Sequence, residues 1–164
     1  NMTVGFGHGI AVTPMHLASA YAAMVNGGIY RPATMFKTKA DAKIPGKRVF
    51  TAATSARMRQ LMRMIVVDGT GSQADALGYR VGGKTGSAEK PGVGGYSRNL
   101  VVSTFAAAFP MDNPRYVVLA MLDELAAGQR GAAFHIVEER ELRREPHPGQ
   151  NLLVAELRQQ AVTP

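Results

Sequence analysis

The chain contains no cysteine. That excludes a disulfide framework and any thiol nucleophile, and it is compatible with an oxidising compartment without requiring one. No apolar run approaches the roughly 18–20 residues that a membrane helix needs. No charged-then-apolar leader opens the chain. Its first residues, Asn1-Met2-Thr3-Val4-Gly5, read like the interior of a loop, so the chain is expected to begin within a domain. No block of Lys and Arg is continuous. The formal charge of +7 therefore reads as scattered surface arginine and not as a nucleic-acid face. What is present is ordinary for a globular protein: 164 residues, 46% of them hydrophobic and 19% charged, enough for one domain with a core.

Two segments carry helix signals. Thr13 suits an N-cap and Pro14 the first helical position. Leu17, Ala18, Tyr21, Ala22 and Val25 then form an apolar stripe that Asn26-Gly27-Gly28 ends. The spacing predicts a second helix over Ala52–Asp68, capped by Thr51, with Met58, Leu61, Met62, Ile65 and Val66 inward. Met58, Met62 and Met64 read as core filler. Between the helices, Ile29–Lys37 is expected to be extended, with Pro32 marking an edge, and Lys37–Arg48 to be a basic surface loop.

Three β-like runs follow: Tyr79–Ser87, Leu100–Phe109 and Arg115–Leu122. Pro110-Met111-Asp112-Asn113-Pro114 is a turn signal that should join the last two as an antiparallel hairpin. The order of elements predicts an α+β fold, an antiparallel sheet flanked by helices. Beyond Glu124 the character changes. Ala132–Glu145 and Asn151–Ala161 could each be helical, separated by Pro146-His147-Pro148-Gly149.

Several short motifs compete for the chemistry. Gly78 to Thr85 satisfies the phosphate-loop pattern, which would make this a nucleotide-binding protein. That pattern needs a helix opening at Lys84, and Gly86 and Pro91-Gly92-Val93-Gly94-Gly95 cannot sustain one. Ser87-Ala88-Glu89-Lys90 spells Ser-x-x-Lys, which places a lysine beside its serine only on a helix, and Pro91 opposes a helix here. His8, His16, His135 and His147 are dispersed and lack metal spacing. Gly69-Thr70-Gly71 reads equally as a helix stop and as a loop beside a cleft.

The stretch Tyr79-Arg80-Val81-Gly82-Gly83-Lys84-Thr85-Gly86-Ser87-Ala88-Glu89, with Gly69-Thr70-Gly71 before it, resembles the Lys-Thr-Gly strand of the penicillin-binding transpeptidases, the monofunctional division and elongation type above all. The helix from Val12-Thr13-Pro14 to Asn26-Gly27-Gly28 is similar to the helix upstream of that strand. The likeness covers about Gly5 to Asp123. It implies a β-lactamase/transpeptidase-like fold of which residues 1–124 are the C-terminal part and 125–164 a divergent helical or poorly ordered tail. Two explanations of that tail stay open: a shifted reading frame near Glu124, or a lineage-specific extension.

The resemblance implies acyl transfer through a serine ester, with a peptide ending in D-Ala-D-Ala or a β-lactam beside the strand edge. Lys84 would orient the substrate carboxylate and Thr85 would offer it a hydroxyl. Gly86 would let the substrate backbone approach. The N–H of Ser87 would be an oxyanion-hole donor, a contribution of roughly 3–4 kcal/mol in such enzymes. Family members often carry threonine where Ser87 stands. Thr70 and Gly71 would lie near the bound substrate. No metal or organic cofactor is implied, and no nucleic acid.

The family's other motifs, Ser-x-x-Lys and Ser-x-Asn, should precede residue 1, as should its membrane anchor. Ser97-Arg98-Asn99 falls after Lys-Thr-Gly, on the wrong side of it. The chain alone is therefore expected to be inactive. The parent would work on the periplasmic face of the inner membrane with other cell-wall synthesis and division proteins. A related carboxypeptidase or β-lactamase, or a non-catalytic remnant, are the alternatives.

Overall fold

The computed structural model describes residues 4–5, 9–39, 42, 44–92, 95–125 and 150–156. The first helix, α1 (Pro14–Val25), starts where Thr13 Oγ1 accepts from the His16 N–H at 3.2 Å. A two-residue strand, β1 (Ile29–Tyr30), pairs with β2 (Lys47–Arg48). Of the extended run expected to Lys37, only Ile29–Tyr30 pairs as strand, and Pro32 has no N–H to continue the ladder. The second helix, α2 (Ala52–Asp68), opens on Thr51, whose Oγ1 accepts from the Thr54 N–H at 3.0 Å. Both helices span the residues that their caps and stripes predict.

The main sheet holds β3 (Gly82–Gly92), β4 (Gly95–Phe109), β5 (Tyr116–Leu125) and β6 (Gln150–Glu156), antiparallel and in that order. The hairpin around Pro110–Pro114 forms as expected, with Phe109 opposite Tyr116. β3 and β4 are longer than the sequence predicts, because they extend each other into a second hairpin that closes at Gly92 opposite Gly95. Gln150–Glu156 corrects the helical reading of Asn151 onward. These residues pair with Leu122–Tyr116 as a strand, and the apolar run Leu152-Leu153-Val154 suits strand and helix alike. The helix expected over Ala132–Glu145 lies outside the described residues, as do His8, His135 and His147.

Among the described residues, two clusters build the core. One joins α1 (Ala18, Val25) and α2 (Met62) to Ala108, Met111 and Val117 of the sheet region. The other joins Val66 of α2 and Ala74 to Val81, Phe105 and Ala107. The stripe on α2 is narrower than expected. Met62 and Val66 are buried, but Leu61 is 53% and Met64 63% exposed. Neighbouring positions on a helix point about 100° apart, so the face turned to α1 and β3 excludes both. Among the described residues no helix is long and apolar enough to cross a membrane.

Candidate active site

The site is built on β3, one of the two outer strands of the sheet among the described residues. Two glycines let this strand pack closely. A Cβ on Gly82 would lie 2.5 Å from Met111 Cε and 3.0 Å from the Arg63 nitrogen of α2. A Cβ on Gly83 would lie 2.5 Å from Phe105 Cζ. The strand is thus seated against α2 and β4 just before Lys84.

Its backbone direction follows from its partners. The Val81 carbonyl accepts from Arg63 Nη1 at 2.8 Å, and the Thr85 carbonyl accepts from Lys84 Nζ at 2.8 Å. The Gly86 carbonyl instead accepts from Thr104 Oγ1 of β4 at 3.3 Å. Odd-numbered backbone groups here face away from β4, and even-numbered ones face it. Ser87 shares the parity of Thr85, so the ladder turns its N–H towards the free edge.

Three polar groups meet at that edge. Lys84 Nζ also donates to Thr85 Oγ1 at 3.2 Å, and Thr70 Oγ1 lies 3.3 Å from Thr85 Oγ1. An ammonium has three donors; among the described residues two of those of Lys84 go to Thr85. Lys84 and Ser87 are exposed and Thr85 is half-buried. A Cβ on Gly86 would stand 2.7 Å from Thr104 Oγ1. Glycine at this position thus lets Thr104 of β4 pack against β3.

The Gly69-Thr70-Gly71 segment is a helix stop whose middle residue reaches β3. It ends α2 at Gly69, and it brings Thr70 to Thr85. Gly71 does not reach the edge. It is buried, its N–H donates to the Ile65 carbonyl at 3.0 Å, and a Cβ there would lie 3.3 Å from both Ile65 Cγ2 and Phe105 Cε2. The phosphate-loop reading fails on the structure, because Lys84 and Thr85 lie inside a strand where a helix would be required. Ser87–Lys90 are strand residues too, so that copy of Ser-x-x-Lys does not place its lysine beside its serine. Among the described residues no group of three or more His, Asp or Glu could hold a metal ion.

One buttress was not legible in the sequence. Arg63 Nη1 bonds Asp75 Oδ1 at 2.6 Å as well as the Val81 carbonyl. Its partners lie 12 and 18 residues away, and no local pattern announces them. Lys90 likewise reaches Asp123 of β5 at 2.6 Å, across β4.

Comparison with known proteins agrees with this architecture. Residues 1–139 match the family described as the penicillin binding protein transpeptidase domain. The chain is 44% identical over 131 residues to the probable peptidoglycan D,D-transpeptidase FtsI of Caulobacter vibrioides, covering 74% of this chain and 22% of that protein. It is 35% identical over 128 residues to the Escherichia coli K12 peptidoglycan D,D-transpeptidase FtsI, covering 77% and 21%. It thus spans about a fifth of the length of these relatives. Among solved structures, the transpeptidase domain of Burkholderia pseudomallei penicillin-binding protein 3 superposes with a TM-score of 0.75 at 35% identity, over 85% of this chain and 45% of that one. Penicillin-binding protein 3 of Mycobacterium tuberculosis complexed with aztreonam gives 0.67 at 27% identity, over 88% and 39%. With an antiparallel sheet flanked by helices and a family match over most of its length, the chain belongs to the penicillin-binding protein transpeptidases.

Proposed function

We propose that this chain forms the Lys-Thr-Gly wall of a peptidoglycan D,D-transpeptidase that cross-links stem peptides through a serine acyl-enzyme, with the nucleophilic serine outside these residues. The observation that carries the reading is the free edge of β3. There Lys84 Nζ, the Thr85 hydroxyl and the backbone N–H of Ser87 lie within one short stretch of strand. The terminal carboxylate of a D-Ala-D-Ala peptide, or the acid group of a β-lactam, is held by Lys84 and Thr85. The reacting carbonyl then lies by Ser87, whose N–H stabilises the oxyanion in a site that needs no reorganisation. Thr70 stands beside the carboxylate position.

Penicillin-binding protein 3 of Mycobacterium tuberculosis, solved with ampicillin and with aztreonam, supports β-lactam binding by the parent of this chain. The parent protein works at the periplasmic face of the inner membrane, beside other wall-synthesis and division proteins. The chain by itself holds one wall of the site and is not acylated.

The test is fluorescent-penicillin labelling of the full-length parent, intact and as Lys84→Ala. Covalent labelling that falls sharply in the variant is expected. A folded parent that takes no label sinks the reading.

A further inference from the structure

Thr70 and Thr85 are 15 residues apart, yet their hydroxyls lie 3.3 Å from each other. The loop that carries Thr70 is pinned at several points. The Gly71 N–H is bound to the Ile65 carbonyl at 3.0 Å, and a Cβ on Gly69 would meet Ile65 O at 2.8 Å. Farther on, Arg63 holds Asp75 at 2.6 Å and the Val81 carbonyl at 2.8 Å, so both the loop and the start of β3 are fixed to the same turn of α2. The meeting of the two hydroxyls is therefore set by the framework.

A hydroxyl has one proton and two lone pairs. Lys84 Nζ can only donate, so it takes one lone pair of Thr85 Oγ1. The second threonine then decides what Thr85 does with its single proton. If Thr85 donated to Thr70, it would have no proton to offer an anion. If Thr70 donates, Thr85 receives two hydrogen bonds and its own O–H is released outward. Donors feeding a hydroxyl strengthen the bond it makes in turn, and a bond to a carboxylate is stronger than one to a neutral oxygen.

We infer that Thr70 is a positioning residue: it donates to Thr85 Oγ1 and commits the Thr85 proton to the ligand's acid group. Thr70, being exposed, leaves its own lone pairs to water. The inference rests on the reading of Lys84 and Thr85 as an anion clamp, and it adds that the clamp has a third member, supplied by the loop after α2.

The test is a double-mutant cycle in the full-length protein, read as the second-order rate of acylation by benzylpenicillin. Thr70→Val is expected to slow acylation about tenfold, the size of one hydrogen bond in a charged network. Thr70→Ser is expected to recover most of that loss. Thr70→Val combined with Thr85→Val is expected to be no slower than Thr85→Val alone, since Thr70 acts through Thr85. Thr70→Ala provides a second truncation should the valine variant fold poorly, as judged by its melting temperature. Losses that multiply in the double variant, or an unchanged rate in both truncations, overturn the inference while leaving the anion clamp standing. A wild-type protein that benzylpenicillin does not acylate overturns the clamp and the role of Thr70 together.

Discussion

Gly83 has no space for a side chain, since a Cβ would lie 2.5 Å from Phe105 Cζ and 2.7 Å from the Ala106 carbonyl oxygen. Gly83→Ala is expected to destabilise the protein by about 1–3 kcal/mol, the usual cost of overpacking, read by denaturant unfolding. Because this residue adjoins Lys84, the same change should also slow penicillin labelling. A second expectation concerns Tyr21, whose hydroxyl is pushed above its ordinary pKa by burial. The fold favours the neutral phenol, so this contribution is complete below the unfolded value of about 10 and is lost as pH rises past it. Tyr21→Phe is expected to flatten the fall of melting temperature between about pH 9 and 11. Lys84, Thr85, Gly86 and Ser87 could be singled out in the sequence because they are contiguous. Thr70 stayed between two readings, and Arg63 went unmarked, because their partners are brought to them by the chain's path and not by spacing.

Ser55 shows how two helices are tied by a single side chain. It is 1% exposed, donates to the Met24 carbonyl at 2.6 Å and accepts from the Gly27 N–H at 3.0 Å. It therefore satisfies two backbone groups at the end of α1 from the first turn of α2. Ser55→Ala should leave both unpaired and cost about 1–3 kcal/mol, seen as a lower denaturation midpoint with an unchanged slope. The limits of both helices were legible, since caps and glycine stops act within a few residues. Which residues of α2 face inward was only partly legible. Leu61 and Met64 are apolar but exposed, and only the position of α1 and β3 decides that. The strand ends were underestimated for a related reason. The β-like run was expected to end at Ser87, and it is pairing with β4 that carries β3 on to Gly92.

The whole sheet depends on segments far apart in sequence, with β6 returning from residue 150 to cover β5. The α+β class followed from the order of elements, but this return could not, because nothing in a short apolar run distinguishes a strand from a helix without its neighbour. Deleting residues 150–164 is expected to bare the edge of β5. Exposed edges pair with other chains, so the shortened protein should elute earlier than a monomer in size-exclusion chromatography. An unchanged monomer would count against the pairing of Gln150–Glu156.

The contact of Arg63 on the Val81 carbonyl also measures length. It occupies the outward-facing backbone at one end of the free edge, while the pairing register shifts between Glu89 and Lys90 at the other. Only the outward-facing positions Gly83, Thr85 and Ser87 lie clearly between these stops. If the proposed clamp holds a ligand, the edge offers it a short run of backbone between these two stops and no more.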